Sequence, residues 1–438
     1  MKNTSPWLYI PSAYFLEGIP YMIINAVSVV LYANLGFQNE QIVFWTSWLY
    51  LPWVLKMFWS PLIDSRSTKR RWMIRAQYTI AILFFILAGL NAYNLFAHGQ
   101  VLNNMPFFYT SLFGFFIGAF LSATLDIATD GYYLFALTPK QQGYFVGIRT
   151  IFYRLAMIFA NGILLAGAFA LFKAPKDQPN PAAWIAIFIF LAVLFTGLAR
   201  WHHSICPTPA TDTPAQAAQH TVWIDAFKSY FTQKHIIYIL LFILLYRLGD
   251  AMLEKIIPLF LLKPTTEGAL GLSMQSYGLI KGTLGLGAII AGNLLGGWLL
   301  GRFGFKKCIW PFAMAMVLPN FFYAYMGYAK PDLVLTATLI TLENFGYGLA
   351  MMAFSVFVMY ISQGPYKTSH YAISTGIMAL GMMVPSMLSG KLQAAVGYER
   401  FFWITALISL LTFLIIPLLS HIKSIDDAEK TFQTAEKK

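Results

Sequence analysis

Residues 181–201 read PAAWIAIFIFLAVLFTGLARW, a run of twenty-one positions in which Arg200 is the one charged side chain. A helix that crosses the hydrocarbon core of a bilayer needs about 20 apolar residues. Comparable runs recur along the chain, whose 438 residues are 58% hydrophobic and 11% charged. Because a typical soluble domain is about 25% charged, the composition excludes an ordinary soluble enzyme and predicts an all-α integral membrane protein.

Apolar runs between polar, Pro or Gly breaks predict twelve transmembrane helices. These spans, numbered 1 to 12 below, are 7–33, 41–63, 72–97, 105–134, 144–172, 181–201, 235–262, 276–301, 308–329, 332–361, 369–395 and 399–420. A long polar stretch rich in Pro, Thr, Ala and Gln separates spans 6 and 7, which is typical of a linker. The predicted domains are an N-terminal six-helix bundle (1–201), a cytoplasmic linker (202–234), a C-terminal six-helix bundle (235–420) and a cytoplasmic tail (421–438). Within the linker, residues 223–228 fit either a short interfacial helix or plain linker.

Lys and Arg are distributed unevenly between alternate loops. If the N-terminus is cytoplasmic, the inside loops hold fourteen of them and the outside loops hold five. The positive-inside rule therefore predicts that both termini are cytoplasmic. The net charge of +12 is then a signal of orientation, and we do not expect nucleic-acid binding. The two cysteines, Cys206 and Cys308, show no disulfide framework or metal-ligand spacing.

The two halves of the chain carry related patterns. Leu16-Glu17-Gly18 in span 1 corresponds to Gly249-Asp250-Ala251 in span 7. Each is followed by a short basic loop, which begins SPLIDSR at 60–66 in the first half and reads GWLLGRFGFKK at 297–307 in the second. Six plus six spans with parallel halves predict two pseudo-symmetric six-helix bundles, the architecture of the major facilitator superfamily, with a site near the midplane between the halves.

The first of these loops predicts a cytoplasmic gate formed by Asp64 and Arg66. The second copy has Gly301 where an acid would stand, which predicts a weaker gate in that half. The chain contains no GxxxxGK[ST] sequence, so nothing in it indicates ATP hydrolysis. Transport against a gradient would therefore need an ion.

Charged side chains within spans are costly unless they are paired or hydrated, and they are the first candidates for function. Asp126 and Asp130 lie four residues apart in span 4 and share one helix face. Arg149 and Arg154 in span 5 lie at depths in the membrane that match those of the two aspartates. One interpretation is a structural ion-pair cluster. The other is a site where Arg154 binds an anionic or carbonyl group through two hydrogen bonds, Asp126 changes its protonation, and the surrounding ion pairs exchange.

Further charges lie in spans 1, 7 and 10. Arg247 and Asp250 share a face of span 7. They either form a structural ion pair, or Arg247 contacts the solute and Asp250 exchanges ion-pair partners during transport. Glu17 and Glu343 lie near the midplane, where each is either a proton carrier or a hydrogen-bonded neutral acid that only packs. Three tyrosines beside these charges are candidates to stack on sugar rings or to bind solute, although core packing is the common role of such residues: Tyr153, Tyr246 and Tyr347.

Seven short motifs, in this order, resemble the AmpG-type muropeptide permeases of the major facilitator superfamily. They are Gly18-Ile19-Pro20, KMFWSPLID at 56–64, DIATD at 126–130, Tyr153-Arg154-Leu155, LYRLGDA at 245–251, TLGL at 283–286 and Glu343-Asn344-Phe345. The resemblance covers most of residues 14–415. It implies proton-driven import of N-acetylglucosaminyl-anhydromuramyl peptides across the bacterial inner membrane, for peptidoglycan recycling.

The resemblance yields a set of expectations about partners. The partners would be an amino-sugar peptide, protons and the lipid bilayer, with no metal, no cofactor beyond the proton gradient, and a functional monomer. Arg154, Arg247 and Asn344 are predicted to contact the solute. Related sequences leave open the import of another bulky polar solute, such as a siderophore, an acetyl-coenzyme A-like molecule or an oligosaccharide. We expect no enzyme activity, since the spans hold no set of nucleophile and base.

Overall fold

The computed structural model of the chain describes residues 4–99, 102–173, 178–210, 212–213, 220–362 and 367–422. Within these ranges the secondary structure is helical. Ten helices in them are long and apolar enough to cross a membrane. From residue 423 onward the predicted tail lies outside the described residues, and so do residues 211 and 214–219 of the predicted linker.

The helices of the first half follow the predicted spans closely. Their ends are set by sequence: the side chains of Thr68, Asn104 and Asn180 accept a hydrogen bond from the first turn of their helices, and Thr138 and Gln141 form a capping box. The α-helices are Ile10–Met22, Ser28–Asn34, Asn39–Ser47, Leu51–Arg66, Lys69–His98, Met105–Ala136, Pro139–Ile158, Leu164–Leu171 and Pro181–Ile205.

Two spans of this half contain a π-helical turn. The turn Ile23–Val27 follows Pro20 in span 1, and the turn Phe159–Ile163 divides span 5. A proline removes a backbone N–H donor from the helix. A wider π-helical turn is one way in which the neighbouring backbone hydrogen bonds can adjust to that loss. Such turns are rare in regular helices and are frequent at functional sites.

The second half has more interruptions. Its α-helices are His220–Phe231, Ile236–Leu245, Leu248–Leu253, Ile256–Leu262, Met274–Tyr277, Leu286–Phe303, Phe305–Val317, Asn320–Ala329, Leu333–Ile361, Lys367–Ser409 and Leu411–Ile415, with a π-helical turn at Gly278–Gly285. Span 7 is broken near Arg247, where the backbone leaves helical geometry.

The helix Lys367–Ser409 joins predicted spans 11 and 12. Gly397, with φ of 79°, interrupts it where the sequence predicts a loop, and it separates the two spans because only glycine adopts that conformation easily. Span 2, over 39–66, is helical but is not among the ten helices selected by length and apolarity. One of the ten helices covers both span 11 and span 12, and span 2 adds one more. The described helices therefore account for twelve spans.

The described chain forms two compact units. The first comprises residues 1–216 and 258–283, and the second comprises 217–257 and 284–438. In the first unit, span 1 packs on spans 4 and 5, and span 3 packs on spans 4 and 6. In the second unit, span 10 packs on spans 8 and 9 around a core that includes Phe242, Phe312 and Phe357.

Candidate functional site

Span 4 and span 5 meet through an ion pair in the first unit. The Arg149 guanidinium lies 2.8 Å from Asp130 Oδ1. Tyr14 of span 1 donates its hydroxyl to the same carboxylate oxygen at 2.7 Å and accepts from Arg149 at 3.0 Å. The guanidinium also lies over the ring of Tyr133, 4.8 Å from its centroid, where a cation is attracted to the aromatic face. Three spans thus converge on Asp130.

The other carboxylate of span 4 pairs with a lysine. The Lys56 Nζ of span 2 lies 2.7 Å from Asp126 Oδ2. Glu17 and Asp126 line the same cavity. Glu17 is 5% exposed, and its Oε2 atom receives no hydrogen bond from the residues that the structure describes. A buried carboxyl group without a hydrogen-bond donor is costly in its charged form.

The acids Glu17, Asp126 and Asp130 line a cavity of about 240 Å³ in the first unit, together with Tyr14 and Arg149. Arg154 contributes to its wall as a half-buried side chain, and the Sδ of Met157 lies 3.8 Å from its guanidinium. A guanidinium with several donors is suited to bind a carboxylate, a phosphate or an amide carbonyl. The full lining is Tyr14, Glu17, Asp126, Asp130, Arg149, Thr150, Tyr153 and Arg154.

A glycine brings span 1 close enough to span 5 to assemble this cavity. A Cβ atom on Gly18 would lie 2.7 Å from the Tyr153 carbonyl oxygen and 2.9 Å from Ala156 Cβ, so a side chain there would push the helices apart. Tyr14 lies one helical turn before Gly18, and Arg149 lies one turn before Tyr153. The close approach therefore places the Tyr14 hydroxyl beside the Arg149 guanidinium.

The second unit contains a different cluster around span 7. Arg247 stands at the break of the helix, is 8% exposed, and donates to the Tyr347 hydroxyl. Its guanidinium also lies 5.3 Å from the centroid of the Tyr347 ring. Asp250 accepts from Asn320 Nδ2 at 3.5 Å. The structure thus brings the two predicted solute contacts Arg247 and Tyr347 together.

Glu343 of span 10 accepts hydrogen bonds from two neutral side chains. Its Oε2 atom accepts from the Tyr323 hydroxyl at 2.9 Å and from Asn344 Nδ2 at 2.8 Å. Asn344 also donates to the Ile340 carbonyl, and it is 3% exposed. Both side chains are therefore buried and hydrogen-bonded to each other.

The remaining predicted residues lie apart from these contacts. Tyr246 is fully buried in the core of the second unit, stacked on Phe242 with ring centroids 4.6 Å apart, so packing accounts for its position. Arg66 is exposed at the end of the helix Leu51–Arg66, where a cation is favoured by the helix dipole. The side chain of Asp64 lies outside the described residues, so the predicted gate stays a prediction.

Sequence reasoning about charges missed members of the site, among them Lys56 and Tyr14. Lys56 pairs with Asp126, and Tyr14 contacts both Asp130 and Arg149. A signal for Lys56 was present in the sequence, because burying a lysine in the middle of span 2 costs as much free energy as burying the acids in spans 1, 4, 7 and 10. No comparable signal marked Tyr14, since tyrosines are common in membrane helices as packing residues and interfacial anchors.

Comparisons with known proteins agree with this architecture. The family model of the Major Facilitator Superfamily matches residues 12–363. The AmpG 4 protein of Rickettsia conorii is 24% identical over 408 residues, covering 90% of this chain and 92% of its own. The anhydromuropeptide permease of Escherichia coli K12 is 24% identical over 351 residues, covering 80% and 67%. The crystal structure of a D-xylose-proton symporter matches with a TM-score of 0.69 at 11% identity, covering 93% and 95%, and this likeness concerns the fold.

Proposed function

The chain belongs to the Major Facilitator Superfamily, and we propose that it is a proton-coupled importer of N-acetylglucosaminyl-anhydromuramyl peptides. It is a multi-pass membrane transporter and not an enzyme. The proposed location is the bacterial inner membrane with both termini in the cytoplasm, which the positive-inside count supports. The proposed energy source is the inward proton gradient.

The cavity of the first unit is the observation that carries the proposal. It is lined by ionisable and hydrogen-bonding side chains instead of apolar ones, which suits a polar solute and disfavours export of apolar compounds. Anhydromuropeptides carry carboxylates and amide carbonyls, and Arg154 and Arg149 supply the donors that recognise such groups. Resemblance to permeases over most of the chain supports this choice of solute.

The charges of this site suggest how protons would be coupled to solute. Among the described residues, three acids face three bases, so the charges cancel when all are ionised. A proton on Glu17 leaves one positive charge in excess. An anionic group of the solute then binds more tightly to the protonated site, and by linkage the solute tightens proton binding to the same extent. The residues counted are Glu17, Asp126, Asp130, Lys56, Arg149 and Arg154.

The test is uptake of labelled anhydromuropeptide into proteoliposomes that contain the purified full-length protein. We expect accumulation with an inward proton gradient, and equilibration alone when a protonophore collapses that gradient. Equal accumulation in both conditions would exclude proton coupling. If unlabelled siderophore, acetyl-coenzyme A or oligosaccharide is taken up while anhydromuropeptide is not, the solute is another bulky polar molecule.

A further inference from the structure

The helix His220–Phe231 lies in the predicted linker and is called the linker helix here. Its side chains separate into distinct faces. Ala226 and Tyr230 are fully buried, whereas three large apolar side chains at spacings of three and four residues are exposed. Such spacing places the three on one face of a helix. They are Ile224, Phe227 and Phe231, with 46%, 39% and 39% of their surface exposed.

The buried face holds the linker helix on span 11. Tyr230 shares a hydrogen bond of 2.9 Å with Ser374, and its ring lies 5.5 Å from that of His370. The linker helix is therefore a packed element of the second unit. Its exposed apolar face is held in a fixed direction by these contacts, adjacent to the buried face.

The linker helix stands close to where the chain enters the membrane. It ends at Phe231, and span 7 begins at Ile236, so the two helices are separated by no more than about 18 Å of chain. His235 has a left-handed backbone with φ of 62°, which a continuous helix does not allow. The chain therefore turns at His235, and the linker helix lies at the end of span 7 without extending it.

Charge on the linker helix matches an anionic surface. Lys228 follows the apolar face around the helix, Lys234 lies just beyond the C-terminus, and both are exposed. Asp225 lies farther around, on the polar side. An apolar face bordered by lysine is the pattern of a helix that lies in the membrane interface, with its apolar side chains among the upper acyl chains. The positive-inside count predicts that this leaflet is cytoplasmic, where anionic lipids attract basic segments.

We propose that the linker helix is an interfacial anchor that binds the anionic lipid surface through Ile224, Phe227 and Phe231 together with Lys228 and Lys234. Its contact with span 11 through Tyr230 and Ser374 ties that span to the membrane surface. The proposal does not depend on which solute is carried, since it rests on the exposure and charge of the linker helix.

Spin labels on the full-length protein test the orientation of the helix. Ile224→Cys and the matched Asp225→Cys sit on adjacent positions but different faces, and the two native cysteines are buried. In vesicles of phosphatidylcholine with phosphatidylglycerol, we expect the label at 224 to be relaxed by oxygen and the label at 225 by an aqueous nickel chelate. If the label at 224 responds to nickel as strongly as the label at 225, or is shielded from both reagents by another protein surface, the proposal is wrong.

Lysine replacement tests the role of anionic lipid. In the 224-labelled protein, Lys228→Gln and Lys234→Gln should each reduce the ratio of inserted to solvated linker helix about fivefold, which corresponds to about 1 kcal/mol per lysine near an anionic surface. In vesicles of phosphatidylcholine alone, the same replacements should change the ratio little. Equal effects in both vesicles would refute recognition of anionic lipid. Gel filtration of each variant verifies folding.

Discussion

The carboxyl groups of the two units contact different kinds of side chain. In the first unit, Asp126 and Asp130 face cations, with Lys56 and Arg149 at 2.7 and 2.8 Å. In the second unit, Glu343 accepts from a tyrosine and an asparagine. Ion pairs can exchange partners when charge enters or leaves, whereas hydrogen bonds from a tyrosine hydroxyl and an asparagine amide carry no charge to exchange. We infer that the first cluster responds to protons and solute more strongly than Glu343 does.

The largest expected effect concerns Arg154. Replacement of Arg154 by Ala should reduce uptake to the level of empty liposomes, because the other guanidinium of the cavity, Arg149, is paired with Asp130. Arg200→Ala, at the exposed end of span 6, is the control and should retain uptake. Western blotting of the membrane fraction shows whether each variant is inserted. Retained uptake in an inserted Arg154→Ala protein would assign Arg154 to packing.

Glu17 and Glu343 provide the direct comparison of the two clusters. Glu17→Gln fixes a neutral side chain beside Asp126, so it should abolish accumulation driven by the proton gradient while solute exchange continues. Glu343→Gln keeps an acceptor for Tyr323, and accumulation should stay within about threefold of the native protein, a change of less than about 1 kcal/mol. Parallel measurements of accumulation and exchange check both. The opposite ranking would identify Glu343 as the proton carrier.

Close helix contacts in both units predict comparable losses of stability. Gly18→Ala meets the Tyr153 carbonyl oxygen, and Gly249→Ala would place its Cβ 2.5 Å from that of Ser409. Each should lower the free energy of unfolding by about 1–3 kcal/mol, the usual cost of overpacking. Thermal denaturation in detergent measures the effect. Gly167→Ala, with nothing within 4 Å of the added Cβ, is the matched control and should be neutral or stabilising.

A double-mutant cycle compares the strength of the two kinds of contact. Lys56→Gln combined with Asp126→Asn should show a coupling energy of about 1–3 kcal/mol, since the two charges are in direct contact and only partly exposed. Tyr323→Phe combined with Glu343→Gln removes a hydrogen bond, and it should show about 0.5–1.5 kcal/mol. Unfolding of the four single and two double variants gives both values. Equal coupling energies would show that the ion pair of the first unit is no stronger than the hydrogen bond from Tyr323 to Glu343.

The smallest effect concerns the cysteines, one in each unit. Both are 5% exposed, and burial raises the pKa of Cys206 to about 12. A raised pKa keeps the thiol protonated at pH 8, where the thiolate is on the order of a thousandfold rarer than for a free cysteine. Folded protein should therefore resist maleimide at Cys206, and an exposed Thr232→Cys variant should react rapidly. Fast labelling of Cys206 would show that the first unit opens around it.

The sequence predicted the spans well because hydropathy is a local property. Nearly all predicted ends lie within a few residues of the observed helix ends, and Pro20, Gly397 and the capping residues explain the main breaks. Spacing within one helix also placed Asp126 and Asp130 on a common face. The predicted domain bounds at 201 and 235 stay a prediction, while the compact units divide the chain within spans 7 and 8.

The contacts between side chains on different helices could not be predicted from hydropathy or from spacing within one helix. Periodicity shows which face a side chain occupies, but it does not show which neighbouring span that face meets or at what distance. The pairing of Lys56 with Asp126, the tyrosine held between Asp130 and Arg149, and the hydrogen bond from Tyr323 to Glu343 all depend on contacts between distant segments. The amino-acid sequence therefore establishes a twelve-span transporter and its short set of buried charges, because a bilayer restricts which segments can cross it. Which side chains those charges contact follows from helix packing, because Gly18 and similar close contacts bring the side chains within hydrogen-bonding distance.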